Sequence, residues 1–284
     1  MTNISQLKLS IITVCYNDKN GLIKTIKSVK EQAFKDYEYI IVDGGSTDGS
    51  YEVIRQNLDH VSSWVSEKDK GIYNAMNKGI GMSSGKFFLF LNSGDILSSN
   101  NILRTVFSQS HDEDIIYGNL IRKKGNKKYR ITKYPEKLTL YHFYNQVPSL
   151  HHQASFIKSQ LFDTLGLYRE DFKIAADWEF FFRAIILNNC TIKHINENIT
   201  IFDSFGISSG GNNSDQELKM NILKSHFPQR VLDDYKGTTF LKRNHWNHFR
   251  FLLTKNQKLF ILLRRLWLPI IGLKEYINFL RVKE

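Results

Sequence analysis

Apolar residues in this chain fall into short unbroken runs separated by stretches with helical spacing. Leu9–Cys15 is a continuous apolar run ending at Tyr16-Asn17, and it predicts a buried parallel strand. Leu22, Ile23, Ile26 and Val29 then recur at helical spacing within 20–32. A second apolar run, Tyr39–Val42, ends at Asp43, and a helical pattern covers Ser50–Leu58. A short strand at Val61–Val65, a helix over Gly71–Ile80 and a strand over Lys86–Leu91 follow. Strands alternating with helices predict an α/β fold built on a mostly parallel, doubly wound sheet.

Beyond Ser98 the pattern changes. Asn101–Ser108 reads as a helix, Ile115–Asn119 as a strand and Ile121–Thr132 as a basic hairpin around Gly125-Asn126. Leu138–Tyr144 and Ser159–Leu165 are weak helices, and Ala176–Leu187 is a strong one, with Asp177 and Glu179 at its favourable amino end. Phe205–Asn213 is rich in Gly, Ser and Asn and predicts a loop. From about 240 the chain is aromatic and basic. Its apolar runs, Leu259–Leu263 and Leu266–Ile271, are broken by Arg264-Arg265, too short to span a bilayer. An in-plane amphipathic helix fits them better.

Charge sharpens this division. The net charge is +11, and residues 224–284 hold +9 of it. The basic character therefore belongs to an appendage, which attracts polyanions such as an anionic membrane face. The expected organisation is a main α/β domain over 1–215, with halves 1–98 and 99–215, and a helical tail over 216–284. Cys15 and Cys190 lie far apart in apolar surroundings and read as reduced core thiols of a cytosolic protein. The amino-terminal residues lack the pattern of a signal peptide.

Two strands tipped by carboxylates mark the candidate chemistry. Asp43 precedes GGSTDGS, where glycines let backbone approach a ligand. Asp95 ends Asn92-Ser93-Gly94-Asp95, at the strand end where open α/β sheets bind ligands. An acid there suits a hard divalent cation that keeps open positions for phosphate, and a plain turn is the other reading. Glu67, Asp69 and Lys70 precede a helix whose Asn74, Asn77 and Lys78 share one face suited to sugar hydroxyls and phosphate, or simply to solvent. Asp177 follows an apolar segment, so burial would raise its pKa toward that of a useful base. His151, His152 and Gln153, read as strand residues, would place at most one histidine toward a given site.

Taken in order, SIITVCYN, VDGGSTDGS, DKGIYNAMNKGIGMSSGKFFLFLNSGD and AADWEF resemble glycosyltransferase family 2 over about residues 8–210. The form of the motifs is similar to the branch of bacterial surface-polysaccharide transferases, including colanic-acid and O-antigen enzymes. The resemblance implies a GT-A fold and inverting transfer from a nucleotide-diphosphate sugar, UDP-hexose or UDP-N-acetylhexosamine, to a lipid-linked glycan. It implies that Thr13, Tyr16, Asn17, Asp43 and Ser46 lie by the nucleotide and that Asn77 and Gly79 line the donor. Glu67, Asp69, Asn74, Lys78 and Asn92 join them as donor-side candidates. By the same resemblance Asp95 holds Mn²⁺ or Mg²⁺ and Asp177 is the general base. His152, Gln153, Trp178, Glu179 and Ser208 are acceptor or lid candidates. Three positions depart from the family pattern. Asn92 and Gly94 replace acids, Ala176 replaces a Glu, and Met76 stands for a frequent Arg, leaving Lys70, Lys78 or Lys86 to meet the diphosphate.

The expected setting is the cytoplasmic face of the cell membrane, with peripheral contact through the tail. A nucleic-acid binder would explain the tail but not the acid-tipped strands, and no helix-turn-helix, zinc or RNP-type signature is present. A catalytically inactive sugar-nucleotide binder is the other alternative, suggested by the thinned metal motif.

Overall fold

The computed structural model describes residues 7–124, 128–145, 150–203 and 213–235. The chain divides into two compact units, 1–226 and 227–284. The boundary expected at 215/216 falls inside the last helix of the first unit, Asn213–His226.

Nine strands of the first unit form one sheet among the described residues. They are β1 (Leu9–Cys15), β2 (Tyr37–Asp43), β3 (Ser63–Ser66), β4 (Phe87–Asn92), β5 (Ile96–Leu97), β6 (Ile115–Lys124), β7 (Lys128–Thr132), β8 (Ser155–Lys158) and β9 (Ile192–Asp203). Their order is β3-β2-β1-β4-β8-β6-β9-β5, with β7 added beside β6. β1 pairs in parallel with β2 and β4, β2 with β3, and β6 with β9. β8, β5 and β7 run against their neighbours. The expected mostly parallel α/β sheet is therefore present.

The intervening helices are α1 (Lys19–Lys30), α2 (Ser50–Arg55), α3 (Ile72–Gly81), α4 (Ile102–Val106), α5 (Leu140–Asn145), α6 (Gln160–Leu165), α7 (Ala176–Phe182) and α8 (Asn213–His226). The central strands are covered on both faces, which is why they read as unbroken apolar runs. Ile11, Ile12, Ile40, Ile41, Leu89 and Leu91 are completely buried, each worth about 1.5–3 kcal/mol. β1 lies between β2 and β4, so the chain leaves it in opposite directions on either side. Such a switch point opens a crevice at the carboxyl ends of the strands.

Several expectations need correction. Val61 is not in a strand; β3 starts at Ser63 and runs parallel to β2 as far as Asp43–Ser66. β6 is one strand through Lys124, not a strand followed by a separate hairpin arm. The helix expected over 176–187 stops at Phe182, and 183–187 widens to π geometry, with Asn188 N–H reaching Arg183 O at 3.0 Å. β8 and β9 were not expected. β9 is long and mixed in polarity because a polar stretch, His194 to Asn198, interrupts its apolar residues.

Candidate active site

The first part of the site forms where β1, β2 and β3 end. Asp43 is completely buried yet has three donors: Ser46 N–H (3.1 Å), the Ser46 hydroxyl and the Ser66 hydroxyl (2.6 Å). Parallel register places Ser66 beside Asp43, so β3 supplies the last donor. Asn17 adopts φ 49°, a left-handed conformation that Asn tolerates. Its amide N–H donates to the Ser46 hydroxyl (2.8 Å) and its side-chain oxygen accepts from Thr47 N–H (2.8 Å). Tyr16 beside it is exposed. Asp69 Oδ1 accepts from Gly71 N–H (2.8 Å). A Cβ on Gly44 would stand 2.3 Å from Asp69 Oδ2, so this glycine lets the Asp69 carboxylate close on the end of β2.

Thr13 is placed differently from the expectation. It is fully buried within β1, and its hydroxyl accepts from Tyr39 O–H at 3.0 Å. Glu67 is paired with Lys78 at 2.8 Å. Lys86 precedes β4 at the amino end of the strands, opposite the crevice, and donates to His111 O. Of the three lysines expected near the diphosphate, Lys70 alone is at the crevice rim and outside any ion pair among the described residues.

α3 is tied to the loop that precedes α7. Asn77 is buried; its amide donates to Tyr168 O (2.8 Å) and Glu170 Oε1 (3.0 Å), and its oxygen accepts from Tyr168 N–H (3.1 Å). Asn74 donates to Glu170 Oε2 (2.9 Å). The two asparagines thus clamp the loop before α7. A Cβ on Gly79 would lie 2.4 Å from Ile12 Cγ2, so Gly79 lets the helix pack closely on the sheet. Asn77→Ala is expected to cost about 1–3 kcal/mol, from the unpaired Tyr168 groups it leaves. Thermal melting and faster amide exchange at 168–170 check it.

The Asn92–Asp95 turn closes on α1. Asp95 is buried, with Oδ2 accepting Asn92 N–H (2.9 Å) and its carbonyl accepting the Thr25 hydroxyl (2.8 Å). No group of three or more His, Cys, Asp or Glu side chains able to hold a metal exists among the described residues. Asp95 supplies one carboxylate, partly engaged by its own turn. That donor set fits a cation shared with a bound diphosphate and not one caged by protein.

Asp177 is the centre of the second part. Tyr73 O–H, from α3, donates to Oδ1 (3.0 Å), and His152 Nδ1 faces Oδ2 (2.9 Å). Burial pushes the carboxyl up, but the His152 hydrogen bond and charge outweigh it, together with the Tyr73 hydroxyl. The result is a carboxyl held well below the usual range, the reverse of the rise expected from burial alone. Ala175, two residues earlier, adopts φ 69°. A non-glycine residue there costs about 1–3 kcal/mol, strain that clusters at functional sites.

His151 and His152 are not strand residues; His152 opens a short 3₁₀ turn before β8. Their rings still part company. His151 bridges Arg122 Nη2 (2.7 Å) and Tyr134 O–H (2.6 Å), while His152 goes to Asp177. Gln153 is buried with Oε1 unpartnered. Trp178 is buried, stacked on Phe182 with ring centres 5.6 Å apart, and Glu179 is buried against Arg183 at 2.7 Å. Ser208 and the tail from residue 236 lie outside the described residues. Tyr73, Ser66 and Glu170 were missed by sequence reasoning. Tyr73 had a signal: it stands four residues before Asn77, on the same helical face.

The fold and this crevice define an α/β protein with a candidate active site at the carboxyl ends of its strands, and comparison with known proteins gives the family. The Glycosyl transferase family 2 model matches residues 10–166. An uncharacterised glycosyltransferase of Mycobacterium tuberculosis is 34% identical over 207 residues, covering 71% of this chain and 77% of its own. A PGL/p-HBAD biosynthesis glycosyltransferase of Mycobacterium bovis is 28% identical over 203 residues, covering 69% and 77%. Staphylococcus aureus TarS 1–349 in complex with UDP-GlcNAc matches with a TM-score of 0.64 at 18% identity, over 80% of this chain and 70% of that one. A Pyrobaculum calidifontis mannosyltransferase in complex with GDP-Man and Mn²⁺ matches with a TM-score of 0.55 at 14% identity, over 72% and 59%. The chain belongs to glycosyltransferase family 2, and it is a glycosyltransferase with the GT-A fold. Among the described residues, no helix is long and apolar enough to cross a membrane.

Proposed function

We propose that this enzyme transfers a hexose or N-acetylhexosamine from a UDP-sugar to a hydroxyl of a lipid-linked glycan, with inversion. The observation that carries the reading is the Asp177–His152–Tyr73 cluster, on a chain whose β2 ends in the triply hydrogen-bonded Asp43. In this reading the Asp43 loop, with Asn17, Ser46 and Asp69, receives the uridine, and exposed Tyr16 lies against the base. The TarS complex with UDP-GlcNAc supports UDP as the nucleotide.

The attacking hydroxyl displaces the diphosphate in one step at the anomeric carbon, and an α-linked donor gives a β-glycoside. The Asp177–His152 pair takes the hydroxyl's proton. Lys70 meets the diphosphate. Asp95 would hold a divalent cation together with those phosphates, and such a cation, when bound, draws off charge from the leaving group. The lipid-linked acceptor, the surface-polysaccharide pathway and contact with the cytoplasmic membrane face rest on the family resemblance and on the basic, aromatic tail.

A thermal-shift screen of UDP-, GDP- and dTDP-sugars, with and without Mn²⁺ or Mg²⁺, tests the donor. A UDP-sugar at one hundred times its Kd is expected to add about 2.7 kcal/mol, several degrees in Tm. A shift only with another nucleotide overturns the UDP assignment.

A further inference from the structure

The basic hairpin of β6 and β7 has no part in the donor site. From Asn119 to Pro135 the chain carries seven Lys and Arg residues and no Asp or Glu. The register of the two strands sets Arg122 directly opposite Arg130, on one face of the hairpin. Like charges so placed repel and weaken a sheet. Arg169 and Arg183 have carboxylate partners, whereas neither Arg122 nor Arg130 has one among the described residues. Arg122 is half-buried and Arg130 is exposed.

The hairpin also stands close to the chemistry. β8 runs against both β4 and β6, with Ile157 opposite Phe88 and Ile115, so β6 rises with β4 to the same rim. Arg122 is seven positions beyond Ile115 and Asn92 four beyond Phe88, so the arginine stands past the end of β4. Its Nη2 donates to His151 Nε2 (2.7 Å), and His152, next in the chain, meets Asp177. A guanidinium only donates. His151 Nε2 therefore accepts, and the ring proton sits on Nδ1, toward the Tyr134 oxygen (2.6 Å). A neutral imidazole and a phenol leave the positive charge of Arg122 unbalanced. Its Nε is closed to solvent and has no partner. A cation partly removed from water and short of acceptors calls for a reason.

We propose that Arg122, assisted by Arg130, binds the diphosphate that joins the acceptor glycan to its lipid. This inference rests on the lipid-linked acceptor proposed above. The fork of N–H groups on a guanidinium matches phosphate oxygens, and a diphosphate carries enough charge to offset both arginines. The donor's own diphosphate belongs elsewhere, with Lys70 and Asp95. Arg122 is linked to the Asp177–His152 pair through a single neighbouring residue, so the hydroxyl that reacts belongs to a sugar close to the lipid.

Arg122→Gln tests the assignment, because its amide can still donate to His151 Nε2 while the charge is gone. Enzyme saturated with UDP is titrated calorimetrically with octyl diphosphate, so the donor site is filled and the second anion site is read alone. Affinity is expected to fall by about 10–100-fold, the loss given by hydrogen bonds to a charged group, with UDP affinity unchanged. Arg130→Gln should weaken it less, in the same direction. Equal affinity in wild type and Arg122→Gln overturns the proposal. A fall in UDP affinity with octyl diphosphate unaffected also overturns it, by giving Arg122 to the donor. Loss confined to vesicles of phosphatidylglycerol overturns it too, by giving Arg122 to a lipid headgroup. Should Arg122→Gln not fold, the exposed Arg130→Gln decides, and unchanged affinity there sinks the idea. A wild type that transfers sugar to simple alkyl glycosides and never to diphosphate-linked ones defeats the lipid-linked acceptor itself. One that uses diphosphate-linked acceptors as well with Arg122→Gln as without it defeats this inference only.

Discussion

Asp177→Asn is expected to abolish sugar transfer, by about 10³-fold or more in kcat, while nucleotide affinity stays within a few-fold. Tyr73 O–H donates to Oδ1, so the substituted amide keeps its oxygen there and turns its NH₂ toward His152. The substitution removes the ionised carboxylate, and with it proton uptake by the Asp177–His152 pair, without emptying the space, so folding is expected to survive. Nucleotide contact belongs to other elements, the ends of β1, β2 and β3, and should be spared. The check is steady-state transfer beside calorimetric titration with UDP. A variant retaining more than a tenth of wild-type kcat would remove Asp177 from the chemistry.

The second large effect is expected at the other end of the crevice. Asp43→Ala should lower nucleotide affinity by about 100-fold or more and also lower Tm by several degrees. The carboxylate accepts from Ser46 N–H, the Ser46 hydroxyl and the Ser66 hydroxyl in a fully buried position. Without it these donors lose their acceptor, at about 1–3 kcal/mol for a buried unpaired group. The loop from Gly44 to Gly49 then loses its anchor, and Asn17, tied to Ser46 and Thr47, loosens with it. Titration well below the melting temperature separates binding from unfolding. Unchanged UDP affinity would place the nucleotide elsewhere.

Much of this was legible in the chain. The strands β1, β2 and β4 announce themselves because they are buried on both faces, and β2 and β4 end in polar residues, Asp43 and Asn92, at the rim where ligands bind. The motif order carries the family. Other parts were hidden. β8 is short and β9 mixes polarity, so neither has a period to read. Asn77 and Gly79 stand in a motif that suggests donor binding, yet one clamps the Tyr168 loop and the other admits Ile12. A motif records that a residue type is needed, and not whether a ligand or a neighbouring strand needs it.

The sequence by itself determined the alternation of strands and helices, the two acid-tipped strands and the basic tail, because each is a local pattern of polarity and charge. Only the tertiary structure decided the state of Asp177. Burial argued for a raised pKa, and the opposite follows because Tyr73, from 104 positions away, and His152, from 25, converge on its two oxygens. A carboxyl's proton affinity depends on which charges and donors lie within a few ångströms, and that proximity is made by the fold.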